Sequence, residues 1–312
     1  MASSQKPLRI LIAGAGIAGL ATAISLTRIS GILDLDIHLY EQAPELREIG
    51  ASIALSPNVQ QLYEEVLKIW GTKDTFFSSR LGKGLYTVVG AYDDGRSAEE
   101  LERSITWDQA GNVQFLREKY KDWHPVIKAL TELTPHARLY PNYAGDALPS
   151  WIPVSRVTLV GDAAHTHGGS FAAGGSLALD DSLALGLAFK HIFSSDIPNL
   201  SFSQENIRRA FNLYDQTRRP HTARLLSIVH GLISRKTPTF ATPEEEEEAL
   251  KARMRSRPDL QWLSEHDVEK AFVQVVEEAE KLDIKGQDPL RVASIGQSQE
   301  NAVTLRAFES KL

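Results

Sequence analysis

Two glycine-rich turns, each set between an apolar run and a helical run, constrain this chain more than any other feature. The first, Gly14-Ala15-Gly16-Ile17-Ala18-Gly19, follows the apolar run Leu8 to Ile12 and opens an alanine- and leucine-rich stretch to about Ile29. Asp36 to Tyr40 then reads as a second strand. Strand, tight turn, helix and strand form a βαβ unit, which favours a parallel sheet. Glycine has three uses in such a turn: one makes the bend, one lets backbone reach a pyrophosphate, and one lets helix and strand pack closely. The helix start offers free N–H groups and partial positive charge to phosphates. Glu41, at the end of the second strand, stands where a carboxylate accepts hydrogen bonds from ribose hydroxyls. This spacing predicts a dinucleotide site and leaves FAD and NAD both open.

The second turn is more specific. Val157 to Val160 reads as a short buried strand leading into Gly161-Asp162-Ala163-Ala164-His165. A loop rich in glycine and alanine runs on to Gly175, and Ser176 to about Phe193 reads as a long helix. Small residues permit backbone to approach a flat ring closely, and a helix start stabilises an anion.

The pairing of GxGxxG with GDAAH resembles the FAD-dependent aromatic hydroxylases of the salicylate hydroxylase type. These are the group A flavin monooxygenases, and they include fungal polyketide hydroxylases. Glu41 to Asn58, EQAPELREIGASIALSPN, is similar to the family's stretch after its second strand, and Trp262 to Asp267 is similar to its C-terminal tryptophan–acid element. The resemblance spans about residues 8 to 71 and 115 to 275. It implies FAD as the cofactor, held by Gly14, Gly16, Gly19, Glu41 and Ala54, with Asp162 on the ribityl chain and the loop through Gly175 beside the isoalloxazine ring. It implies a monooxygenase of secondary metabolism that hydroxylates a small electron-rich aromatic, phenolic or polyketide-type. NAD(P)H and O₂ would be co-substrates. The family's proton acceptor tends to come from a region without counterpart here, so the resemblance assigns no catalytic residue.

Three departures accompany the match. Gly14 and Gly161 are closer in sequence than family members place them, and no internal GADG element occurs. No arginine follows the segment Pro57 to Trp70, itself expected to be a helix stopped by Gly71, in the way the family's does. Gly169 stands where most members have proline. Near Lys83 the sequence jumps to the late part of the substrate domain, which reads as a large internal deletion, natural or arising from gene prediction. The expected fold is therefore α/β: a Rossmann-like FAD-binding domain in two parts (1–82 and 154–195), a truncated substrate domain (83–153) and a helical C-terminal region (196–312). A sheet short of several strands exposes edges and loses buried face. That loss motivates an alternative function: an inactive or flavin-free remnant such as a pseudoenzyme, isomerase or cyclase.

Elsewhere, Tyr86 to Ala91 reads as a strand and Ala98 to Arg103 and Val113 to Tyr120 as short helices. Ser203 to Ser234, Pro243 to Arg255 and Asp267 to Leu282 have helical composition, and the tail beyond Gly286 is expected to be loose. The net charge of −6 gives no reason to expect a nucleic-acid or anionic-membrane surface. The absence of cysteine excludes disulfides, zinc–thiolate sites and thiol nucleophiles. No apolar stretch approaches the roughly 18 residues needed to span a bilayer. MASSQKPLRI shows no signal-peptide pattern, so a cytoplasmic protein is expected.

Individual residues have plain readings beside functional ones. His165 and His167 form an H-x-H pair without a third metal ligand, and the flavin loop accounts for His165, so no metal is expected. Asp180 and Asp181 are expected to be explained by helix-start electrostatics and solvent exposure. Ser170 and Ser176 lack a G-x-S-x-G elbow. Arg47 reads equally as a flavin or substrate contact and as a surface residue. Glu244 to Glu248 suit a solvated helix start, and Trp107, Trp123 and Trp151 suit a core.

Overall fold

A computed structural model describes residues 7–29, 34–45, 67–70, 74–82, 84–92, 95, 100, 109–193, 201–234, 239–255 and 259–284. Strand β1 (Leu8–Ala13) alternates, turning Leu8 into the core and Arg9 and Leu11 outward. It pairs in parallel with β2 (Leu35–Tyr40), from Leu8 opposite Leu35 to Ala13 opposite Tyr40. Helix α1 (Ile17–Thr27), with no proline and only one glycine inside, makes the crossover between them. The expected βαβ unit is therefore present.

A second, antiparallel sheet has the order β3 (Leu67–Trp70), β4 (Thr75–Gly82), β5 (Leu85–Ala91). Leu67 to Trp70 was expected to end a helix; instead these residues pair with Ser78 to Thr75. The β-branched Ile69 and aromatic Trp70 suit a strand, and the cross-strand partners on β4 outweigh helical propensity. The rest of that expected helix, residues 57–66, lies outside the described residues, as do Ala98, Arg103 and the tail beyond Gly286. Helices α2 (Val113–Lys119) and α3 (Pro125–Leu133) cover the sheet, with Phe76, Tyr120 and Ile127 at the centre of the contact. A short pair, β6 (Gln109–Gly111) and β7 (Ala137–Leu139), flanks them.

The C-terminal part is helical. After the one-turn α4 (Asp162–His165) come α5 (Gly174–Phe193), α6 (Gln204–Ile233), α7 (Pro243–Arg255), α8 (Gln261–Ser264) and α9 (Val268–Ile284). Each long helix starts within two residues of its sequence-based expectation, because Ser203 and Asp267 cap as their side chains dictate: they accept the N–H of Asn206 and Lys270 at 3.2 and 3.0 Å. Glu244 to Glu246 do occupy the first turn of α7. Apolar around most of its circumference, α5 is buried between α1 and α6, and α9 packs on both α5 and α6. Trp151, Leu185, Phe189, Phe211 and Tyr214 belong to this main core, so Trp151 is a core residue as expected; Trp123 packs at the edge of the α2–α3 cluster, and Trp107 lies outside the described residues.

Val157 to Val160 departs from expectation. Val157 makes an isolated bridge to Val154, and the residues after it form no ladder. The Leu159 N–H and the Thr158 hydroxyl both donate to the Trp151 carbonyl, at 2.9 and 3.2 Å, so this segment's polar groups are met by its own loop. Among the described residues no helix is long and apolar enough to cross a membrane.

Candidate functional site

The first turn shows a distinct use for each glycine. Gly14 has φ +99°, a conformation that side chains resist. A Cβ on Gly16 would meet nothing within 4 Å, so the surface above it is open. A Cβ on Gly19 would come to 1.9 Å from the Gly14 carbonyl oxygen, so strand and helix meet here at backbone contact. Helix α1 begins without a side-chain cap and without an acidic residue in its first turn. No side chain of the helix itself therefore caps its first N–H groups, which suits an anion-binding turn.

Glu41 follows β2 and braces this turn. Its carboxylate accepts the N–H of Ala15 and of Ala43, each at 2.8 Å. The Ala43 and Ala15 N–H groups hold the acid below the usual carboxylate range. It stays ionised, with lone pairs left for a further donor.

The second turn lies against the first. Gly161, at φ +62°, is so close to α1 that a Cβ on it would sit 2.8 Å from the Ala18 Cβ. Asp162 is exposed beside this junction, and its Oδ1 would lie 3.6 Å from a Cβ on Gly174. Behind the turn stands a buried ionic cluster. Asp181, fully buried, accepts the Gly161 N–H at 3.0 Å and the Arg218 Nε–H at 2.9 Å. His165 Nε2 lies 2.5 Å from Asp181 Oδ2, the oxygen that also accepts the Gly161 N–H, and with the carboxylate ionised that nitrogen carries the proton. Burial pushes the Asp181 carboxyl up, but His165 and Arg218 outweigh it and the net shift is downward. Arg218 also lies 3.4 Å from Asp180, whose carboxyl burial pushes up to about 6 against that arginine.

The loop between Gly168 and Gly175 is strained. Phe171 and Ala172 both have positive φ, +60° and +50°, which costs about 1–3 kcal/mol for a non-glycine residue. Phe171 and Ala173 pack with Leu177, Leu225, Val229 and Trp262. Trp262 in turn is covered by Arg224, 4.0 Å from its ring, and by His221, which stacks on His266 at 3.8 Å. The tryptophan–acid element thus lies beside the loop that follows GDAAH. His167 is buried, and burial followed by His165 lowers it to about 4.

The structure brings together Gly14, Gly16 and Gly19 with Glu41, and sets Gly161 and Asp162 against α1; Gly175 lies in the first turn of α5. Ala54 and Arg47 lie outside the described residues. Solvent exposure does not account for Asp181: it lies beyond the first turn of α5 and is buried, because Arg218 supplies the opposite charge, and His165 and the Gly161 N–H the hydrogen bonds, that burial demands. Asp180 is about one-third exposed, its side chain at 32%. Sequence reasoning also passed over Arg218 and Ser182. An Asp pair inside the apolar run LALDDSLALG was the available signal, since a charge on a buried helix face needs a partner. Among the described residues no group of three metal-ligating side chains occurs.

No family model matches the chain. It is 26% identical over 151 residues to a 6-hydroxynicotinate 3-monooxygenase of Bordetella bronchiseptica, covering 47% of this chain and 36% of that protein. It is 35% identical over 115 residues to the FAD-dependent monooxygenase OpS4 of Beauveria bassiana, covering 37% of this chain and 24% of that one. The chain thus spans little more than a third of these curated relatives, or less. Its fold is shared with CtdE, solved in complex with FAD and a substrate, at TM-score 0.58 and 14% identity, covering 88% of this chain and 99% of that one.

Proposed function

We propose that this chain, a relative of the FAD-dependent monooxygenases with their α/β fold, binds FAD between its two glycine-rich turns and hydroxylates a small electron-rich aromatic compound with NAD(P)H and O₂. One observation carries the reading: Gly161 of the GDAAH turn lies against Ala18 of the GxGxxG helix, so the two turns form one surface. The uncapped start of α1 and the open space at Gly16 suit a pyrophosphate. Glu41 suits a ribose, and Asp162 with the first turn of α5 suits the ribityl chain and ring. Bound there, the flavin would supply the oxygen-transfer chemistry. The chain's own residues orient it, offer its phosphates the first N–H groups of α1 and hold the strained loop at Phe171 and Ala172 beside it. In this reading residues 83–153 are a shortened substrate domain, and the role belongs to secondary metabolism, in the cytoplasm.

The short coverage of the curated relatives favours a second reading, a remnant that binds the nucleotide, or nothing, without oxidising a substrate. One purification separates them. A yellow protein that releases flavin on denaturation, and oxidises NAD(P)H with O₂ uptake only when a phenolic substrate is present, is the expected result. A colourless protein that takes up no added FAD overturns the proposal, and flavin binding without substrate-dependent O₂ uptake selects the remnant.

A further inference from the structure

The neighbouring residues Asp181 and Ser182 of α5 reach, from one helical step, the two turns that meet at Gly161 and Ala18. Asp181 takes the Gly161 N–H, His165 and Arg218, and so fixes both ends of the GDAAH turn from behind. The Ser182 hydroxyl lies within hydrogen-bond reach of the Ala178 carbonyl at 2.8 Å, the Thr22 hydroxyl at 3.1 Å and the Ala18 carbonyl at 3.2 Å. Ala18 belongs to the GxGxxG motif itself. One turn further along, a Cβ on Gly186 would come to 2.3 Å from the Ser25 Oγ, so α5 and α1 approach closely here as well. Both side chains are buried, which leaves no water to replace these bonds.

We infer that Asp181 and Ser182 are positioning residues that clamp the two glycine-rich turns in register. Neither faces the open surface above Gly16, so they act on a nucleotide only through the backbone they hold. Outer residues of this kind matter because a binding surface a fraction of an ångström too loose loses affinity although every contact residue remains. The inference rests on the proposed flavin site for its consequence, but not for its geometry.

Asp181→Asn and Ser182→Ala test it, each by two readouts on the full chain. The first is amide hydrogen exchange without FAD. Each variant is expected to speed exchange in both turns, at residues 15–22 and 161–165, since a clamp released at one jaw loosens the other. The second is titration with FAD, followed by the flavin absorbance spectrum. Binding is expected to weaken by about tenfold for Asp181→Asn, by analogy with the lower end of what losing a residue that orients a metal ligand costs. Ser182→Ala should weaken it several-fold, and the double variant should fall by less than the product of the two. Exchange confined to the mutated side, or parent-like FAD affinity and spectrum in a folded variant, overturns the clamp. If Asp181→Asn does not fold, Ser182→Ala, which removes only a hydroxyl, decides alone. A parent that binds no FAD while exchange still spreads across both turns would sink the flavin reading and leave the clamp standing.

Discussion

Gly19 lies directly against Gly14, so that a Cβ on Gly19 would reach 1.9 Å from the Gly14 carbonyl oxygen, while one on Gly16 would touch nothing within 4 Å. Two glycines of one motif therefore answer to different demands, one to packing and one to what lies outside. Gly19→Ala forces β1 and α1 apart and is expected to destabilise the protein with or without FAD. Gly16→Ala, at φ −69°, fits the folded chain and should leave the melting temperature nearly unchanged while weakening FAD binding. Thermal melts and FAD titrations of the pair check this; equal melting losses in both would refute it.

Arg218→Met removes the guanidinium that meets Asp181 at 2.9 Å and leaves a buried carboxylate with only His165 and the Gly161 N–H. Breaking a buried ion pair from one side costs about 3–5 kcal/mol. Urea unfolding followed by circular dichroism should show a loss of that size. A loss under about 1 kcal/mol, the range of exposed pairs, would mean that the cluster is not sequestered.

Acid should weaken the fold through its buried imidazoles. Burial lowers His167 to about 4, His221 to about 3 and His266 to about 4, from an ordinary 6.5. The unfolded chain binds protons that the folded chain refuses, so stability falls as pH drops below 6.5 toward these values. Asp180 acts with the opposite sign: burial raises it to about 6 from 3.8, so its contribution is lost as pH rises through that window. His221→Phe should flatten the loss below pH 6.5, and Asp180→Asn should gain stability at pH 7 relative to pH 4. Parallel pH–stability curves for parent and variants would contradict the assignment.

Ala172 is exposed and held at φ +50°, so it contributes strain and little packing. Ala172→Gly should raise stability by about 1 kcal/mol, the order of the penalty for a left-handed non-glycine residue. Chemical denaturation reads this directly. If FAD binding then weakens, the strained loop is needed in its present shape.

The motifs and the long helices were legible in the sequence because each rests on local chemistry. Gly14 to Gly19, Glu41 and the caps Ser203 and Asp267 act through backbone within a few residues or across one βαβ unit. Leu67–Trp70 and Val157 to Val160 were misread because hydrogen-bond partners outside each segment, not its own pattern, set its state: β4 across a short turn for the first and the Trp151 carbonyl for the second. Asp181 was misread for the same reason, since Arg218 and His165 become its neighbours only once α5 and α6 pack. The Gly161–Ala18 contact and the close approach of Gly186 to Ser25 join α1 to residues more than 140 positions away, which no local pattern encodes.

The two-stranded β1–β2 ribbon shows Leu11 and Tyr40 to water, at 63% and 57% exposure, although parallel strands are ordinarily covered on both faces. The amides of β1 and β2 should therefore exchange faster than those of α5 and α6. Any ligand seated on the turn between β1 and α1 would be tightening this thinly covered ribbon. Occupancy and integrity would then rise together, and depleting the ligand in a cell would mark the whole chain for proteolysis.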